Sequence, residues 1–160
     1  MDQRILPSEM KWTRRGVLAG LGATLTVISM PVLAADDDTA AAIKAAFGDT
    51  PRTDGKVQLK LPPLAENGNV VPLTVTIDSP NTPTDFVKRV AIFANRNPRP
   101  LIATFMFGPK AAKTMFSTNM RLSGTQDVIG IAEMSDGTLY QSQLRVMVTV
   151  GACDTLSIRY

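Results

Sequence analysis

Histidine is absent from this 160-residue sequence, and cysteine occurs once, at Cys153. The first absence removes Ser-His-Asp and Cys-His catalytic arrangements together with imidazole-bound zinc or copper. The second removes any internal disulfide. No calcium loop of the D-x-D-x-D-G type is present, and Asp36-Asp37-Asp38 reads as a solvated run that caps a helix. Aromatics make up only 6% of the chain, and no clustered basic stripe interleaves with them, so nucleic acid is excluded as a partner. Five of the eight methionines, Met106, Met115, Met120, Met134 and Met147, are scattered over several candidate strands, where they fill core or edges rather than bind copper. Glu66, Asp127, Glu133 and Asp136 stand mostly at turn signals, and no spacing selects two of them as a general acid and base.

What is present divides unevenly along the chain. Thr13-Arg14-Arg15-Gly16-Val17-Leu18 precedes an uncharged stretch from Gly16 to Ala35, which ends on Val32-Leu33-Ala34 and then three aspartates. A charged start, a short apolar middle and a small-residue processing site make a signal peptide over residues 1–34. The arginine pair with Leu18 behind it points to the twin-arginine route, although Val17 and Ala19 stand where phenylalanine and lysine are commoner. A membrane anchor is disfavoured because Gly, Ala, Ser and Thr dilute the stretch. Cleavage after Ala34 leaves a 126-residue mature chain with no membrane segment and a periplasmic destination. Four of the 17 basic and two of the 14 acidic residues go with the leader, so the formal charge falls from +3 to +1. A chain of this length buries roughly two thirds of its unfolded surface and needs neither metal nor disulfide to fold.

The mature chain opens with a helical pattern from Asp37 to Phe47, with Ala40, Ile43, Ala46 and Phe47 on one face and Gly48 placed to end it. Thr50 to Gly55 reads as a connector. Beyond it the apolar period is two: Val57-Leu59-Leu61, Leu73-Val75-Ile77, Val90-Ile92-Ala94, then Leu101–Phe107, Met115–Leu122 and Val128–Met134. Glu66-Asn67-Gly68-Asn69 and Asp136-Gly137 are turn signals. The last strand places Leu144, Val146, Val148 and Val150 on one face. About seven short strands after one short helix predict an immunoglobulin-like antiparallel β-sandwich over residues 35–150. Residues 151–160 follow as a C-terminal arm.

Cys153 is an unpaired thiol in an oxidising compartment, directly behind that strand and the small residues Gly151 and Ala152. Two readings stay open at this point: a small buried hydrophobe at a strand end, or a reactive thiol on a low-bulk tether.

Several blocks carry a family resemblance. They are Phe47-Gly48-Asp49-Thr50-Pro51, Gly55-Lys56-Val57, Leu61-Pro62-Pro63-Leu64-Ala65-Glu66-Asn67-Gly68-Asn69-Val70-Val71-Pro72-Leu73 and Asp78-Ser79-Pro80. Val87-Lys88, Asn97-Pro98-Arg99-Pro100, Ser117-Thr118, Arg121-Leu122 and Ala132-Glu133-Met134-Ser135-Asp136-Gly137 continue the series. From about Ala45 to Cys153 the chain resembles SoxY, the periplasmic carrier subunit of sulfur oxidation. The resemblance implies no enzyme activity and no cofactor or metal of its own. It implies a heterodimer with a SoxZ-like β-sandwich, and Cys153 as the attachment site for thiosulfate-derived sulfur. Haem-containing and hydrolytic partner enzymes would visit it in turn. The family arm reads Gly-Gly-Cys-Gly-Gly and stops, whereas this one reads Gly151-Ala152-Cys153-Asp154-Thr155 and continues to Tyr160. Asp154 sets a negative charge beside the thiol and disfavours the thiolate. The alternative is therefore a structural or adaptor subunit that has lost carrier activity.

Overall fold

A computed structural model describes residues 34–152. Every described residue belongs to one compact unit. The leader apart from Ala34, Cys153, Asp154 and the rest of the tail to Tyr160 lie outside the described residues.

Helix α1 spans Ala34–Phe47, beginning three residues before the Asp37 start that the sequence pattern predicts. Gly48 ends it in the left-handed region, at φ 69°, with its N–H donating to Lys44 O at 2.8 Å. The buried stripe is Thr39, Ile43 and Phe47, while Ala40, expected on that face, is exposed. The two differ by one residue, about 100° around the helix, and the Thr39 hydroxyl donates to the backbone carbonyl of Asn95.

Nine strands follow among the described residues: β1 Arg52–Asp54, β2 Val57–Lys60, β3 Leu64–Asn67, β4 Val71–Ile77 and β5 Val87–Ala94. The rest are β6 Leu101–Met106, β7 Met115–Met120, β8 Gln126–Met134 and β9 Leu139–Val150. The larger sheet has the order β1-β9-β8-β5-β6 with β3 also on β9, and it faces a smaller sheet, β2-β4-β7. This is the immunoglobulin-like sandwich expected, with two short additions. β1 and β3 pair parallel to β9, where the sequence pattern predicts only a connector and a turn. Neither shows a usable period, since all three residues of β1 are exposed and β3 buries only Ala65. They are strands because the 12-residue β9 offers a long free edge, and only the tertiary fold creates that edge.

The main core lies between the sheets. β4 alternates cleanly, burying Val71, Leu73, Val75 and Ile77 against Val90, Ile92, Val128 and Ala132. β5 and β8 lose that alternation because α1 covers their outer face, where Ala91, Phe93, Ile131 and Leu139 receive Ile43 and Phe47. The Phe47 and Phe93 rings meet at 6.4 Å between centroids, tilted by 58°.

Candidate functional site at the root of the C-terminal arm

The arm leaves the fold where three loops converge. Along the second half of β9, β3 matches Leu64 to Met147, Ala65 to Val148 and Asn67 to Val150. Past the last of these pairs the ladder becomes a zigzag of backbone hydrogen bonds. The Gly68 N–H donates to Val150 O at 2.8 Å, the Leu122 N–H to Gly68 O at 2.8 Å, and the Ala152 N–H to Leu122 O at 2.9 Å. Gly151 and Ala152 are both buried. Gly68 has no substitute here: a Cβ on it would sit 2.2 Å from Leu122 O and 2.9 Å from the Ala152 nitrogen, both backbone atoms.

The loop that presents Leu122 is itself fixed. Asn97 donates from Nδ2 to Arg121 O at 2.9 Å, and its Oδ1 accepts the Ser123 N–H at 2.9 Å and Gln126 Nε2 at 3.0 Å. The Gln126 side chain, 1% exposed, also accepts the Arg96 N–H at 2.8 Å, and the Ser123 hydroxyl donates to Arg96 O at 2.7 Å. Thr125 completes the frame by accepting the Val148 N–H at 3.0 Å. A buried amide with both ends bonded favours one loop arrangement, because any other would strand polar groups away from water.

Around this root the loops after β5 and β7 carry Arg96, Arg99 and Arg121, all exposed, and no carboxylate between Asn95 and Pro100 or between Met120 and Thr125. None of the three arginines forms an ion pair among the described residues. Arg145, nearby on β9, lies 3.9 Å from Asp127.

The acids considered from sequence do not assemble. Glu133 is not at a turn but in β8, its side chain only 11% exposed, held by Lys88 at 2.8 Å and by Arg89. Arg89 also donates to Ala46 O at 2.9 Å and stands over the Phe47 ring at 4.5 Å, so the cluster fastens α1 to the larger sheet. Burial pushes the Glu133 carboxyl up, yet the hydrogen bonds and charges of Lys88 and Arg89 outweigh it and leave the pKa lowered from its ordinary value. Asp136 caps the β8–β9 hairpin by accepting the Thr138 N–H at 2.8 Å, which lowers its pKa from the usual value. Among the described residues no three acidic, histidine or cysteine side chains could hold a metal ion.

Of the arm residues singled out from sequence, Gly151 and Ala152 lie at this root; Cys153 and Asp154 are the next two along the chain. Sequence reasoning missed Asn97, Ser123, Thr125 and Gln126. The only trace of them was Asn97 within the Asn97-Pro98-Arg99-Pro100 block.

The family model for sulfur oxidation protein SoxY matches residues 43–153. A search of curated proteins gives no match. Among solved structures, the sulfur carrier protein SoxY from Chlorobium limicola f thiosulfatophilum is 31% identical, at a TM-score of 0.60. That alignment covers 71% of this chain and 98% of the other. Superoxide reductase (neelaredoxin) from Ignicoccus hospitalis aligns at 13% identity and a TM-score of 0.53, over 59% of this chain and 80% of its own. A putative superoxide reductase from Thermotoga maritima aligns at 15% identity and a TM-score of 0.53, over 65% and 96%. These two share the fold alone.

Proposed function

Because the chain belongs to the SoxY family of sulfur oxidation proteins, we propose that it is a periplasmic carrier holding thiosulfate-derived sulfur covalently on Cys153. It presents that sulfur to oxidising and hydrolytic enzymes as one half of a heterodimer with a SoxZ-like subunit. The observation that carries this reading is positional. The family match ends on residue 153, one residue beyond the point where Ala152 is fastened to Leu122. The sulfur-bearing residue is therefore the first one past the fastening.

The chemistry asks little of the protein itself. Joining the Cys153 sulfur to the sulfane sulfur of thiosulfate forms one S–S bond and releases two electrons, which a haem-containing partner accepts. Hydrolysis then removes the terminal sulfonate as sulfate. A thiolate is the soft nucleophile these steps need. A tether keeps the intermediate at high local concentration without release between enzymes.

Partnering finds support in the exposed apolar side chains near the root. Leu64 and Met147 face each other across the β3–β9 ladder at 51% and 53% exposure, on the face opposite to Val150. An exposed apolar pair beside a sheet edge supports the docking of a second β-sandwich there. The adaptor reading is favoured by Asp154 and the tail to Tyr160, which add charge and bulk to the arm. Mass spectrometry of protein taken from its host's periplasm decides between them. The carrier reading expects sulfur-bearing adducts on Cys153 during growth on thiosulfate, and an unmodified thiol throughout would refute it.

A further inference from the structure

We propose that Arg96, Arg99 and Arg121 form an anion-receiving patch at the root of the arm, which draws anionic sulfur compounds to Cys153 in preference to neutral ones. The inference rests on the carrier reading for its purpose, and adds which residues select the charge of the cargo. Backbone connections put the patch beside the thiol. The Ala152 N–H donates to Leu122 O at 2.9 Å, so Arg121 is one residue from the point where the arm is fastened. Asn97, between Arg96 and Arg99 in the chain, donates to Arg121 O at 2.9 Å, and the Ser123 hydroxyl donates to Arg96 O at 2.7 Å. The two loops that carry the cations are thus tied to each other and to the arm. Cys153 directly follows Ala152. Consecutive Cα atoms are about 3.8 Å apart, so the sulfur stays within about 7 Å of the Ala152 Cα whatever course the arm takes.

The charges are available to a ligand. All three arginines are exposed, and none is in an ion pair among the described residues. Arg96 donates a guanidinium N–H to Thr125 O at 3.2 Å, which turns its charge toward the second half of β9, where Thr125 receives the Val148 N–H. Asp127, at the same end of β8, is engaged by Arg145 at 3.9 Å. Glu66 on β3 and Asp154 on the arm oppose the three guanidinium charges, and the excess stays positive. A guanidinium fork matches the oxygens of a tetrahedral anion, and a cluster of one sign raises the local concentration of the other. The attraction scales with the charge of the incoming compound: a dianion gains twice what a monoanion does, and a neutral compound gains nothing.

Tetrathionate, a dianion, is the probe for the purified protein. The Cys153 thiolate attacks one of its two central sulfurs: an S–S bond forms to the protein, the central S–S bond breaks, and thiosulfate leaves with the electron pair. No outside oxidant is needed. Neutral iodoacetamide alkylates the same thiolate, so the ratio of the two rates cancels differences in ionisation and access. At about 0.02 M ionic strength Arg99→Gln with Arg121→Gln is expected to lower that ratio about threefold or more, and the loss shrinks at about 0.5 M as salt screens the charges. Both side chains are exposed and neither is hydrogen-bonded among the described residues, so the fold tolerates the change. Arg99→Lys with Arg121→Lys keeps the charge and stays within about twofold of wild type. Lys110→Gln with Lys113→Gln removes the same charge just before Met115, at the other end of β7 from Arg121, and also changes the ratio less than about twofold. A ratio unchanged in the Arg→Gln pair would overturn the proposal, and so would an equal fall in the Lys110 and Lys113 control or in the Arg→Lys pair. A wild type that iodoacetamide alkylates but tetrathionate leaves untouched would overturn it too. An unmodified Cys153 in protein from its host during growth on thiosulfate would instead refute the carrier reading, with the rate ratios still deciding the patch.

Discussion

Neutralising Glu133 gives the sharpest test of how the domain is held together. Glu133→Gln keeps the shape of the side chain and removes its charge, leaving Lys88 and Arg89 without their counter-ion. Lys88 is 55% exposed, so its share of the loss is about 0.5 kcal/mol. Arg89 is 29% exposed and is pinned by Ala46 O and the Phe47 ring, so it cannot swing into water without releasing α1. Removing one partner of a fully buried pair costs about 3–5 kcal/mol, and this half-buried case should cost about 2 kcal/mol. In a domain of this size that lowers Tm by about 8 °C. The loss must also depend on pH. The Glu133 pKa is lowered in the folded protein, so the cluster's contribution is complete above the ordinary pKa of a free glutamate, about 4.3. It disappears as pH falls through the lowered folded value. Thermal unfolding of wild type and Glu133→Gln between pH 3 and pH 7 should show a gap that closes in acid. A difference below about 0.5 kcal/mol, or one that is constant across that range, would refute the assignment.

The other expectations are more local. Changing Arg14 and Arg15 to Lys together should leave uncleaved precursor in the cytoplasm, seen by fractionation and immunoblot, and normal export would remove the twin-arginine reading. Leu64→Asp with Met147→Asp should weaken binding of the SoxZ-like subunit at least tenfold by titration calorimetry. The isolated chain's stability should move by no more than about 0.5 kcal/mol, because both sites are exposed. Asp154→Gly should speed Cys153 alkylation only a few-fold at low salt, with the gap narrowing as salt screens the carboxylate. Deleting Asp154 to Tyr160 should raise sulfur loading in a reconstituted thiosulfate-oxidising system more than Asp154→Gly does, and equal loading would show that bulk is not the obstacle.

Much of the sandwich was legible because period-two patterning is a local property. Val71, Leu73, Val75 and Ile77 alternate in sequence and alternate in burial, whereas β5 and β8 have period-two inner faces but are buried on both sides where α1 covers them. Cys153, its small preceding residues and the family blocks are likewise properties of the chain itself. β9 shows where the local rule stops. Leu144 and Val150 keep the predicted parity with Val146, yet they are 39% and 46% exposed, because the three-stranded second sheet does not cover the larger sheet's full width. Ala132-Glu133-Met134-Ser135-Asp136-Gly137 and Glu66-Asn67-Gly68-Asn69 read alike, as family blocks that each carry an acid and a turn signal. In the fold the first builds a hairpin and anchors α1 through Glu133, and the second brings Gly68 against the arm root. Only the tertiary structure separates them, since Glu133 meets cations on β5 and Gly68 meets Leu122 and Ala152, residues 54 and 84 positions away. Sequence fixes which side chains alternate and which backbone atoms lack a Cβ. Which neighbour fills the space, and hence which glycine matters, depends on contacts that no local period encodes.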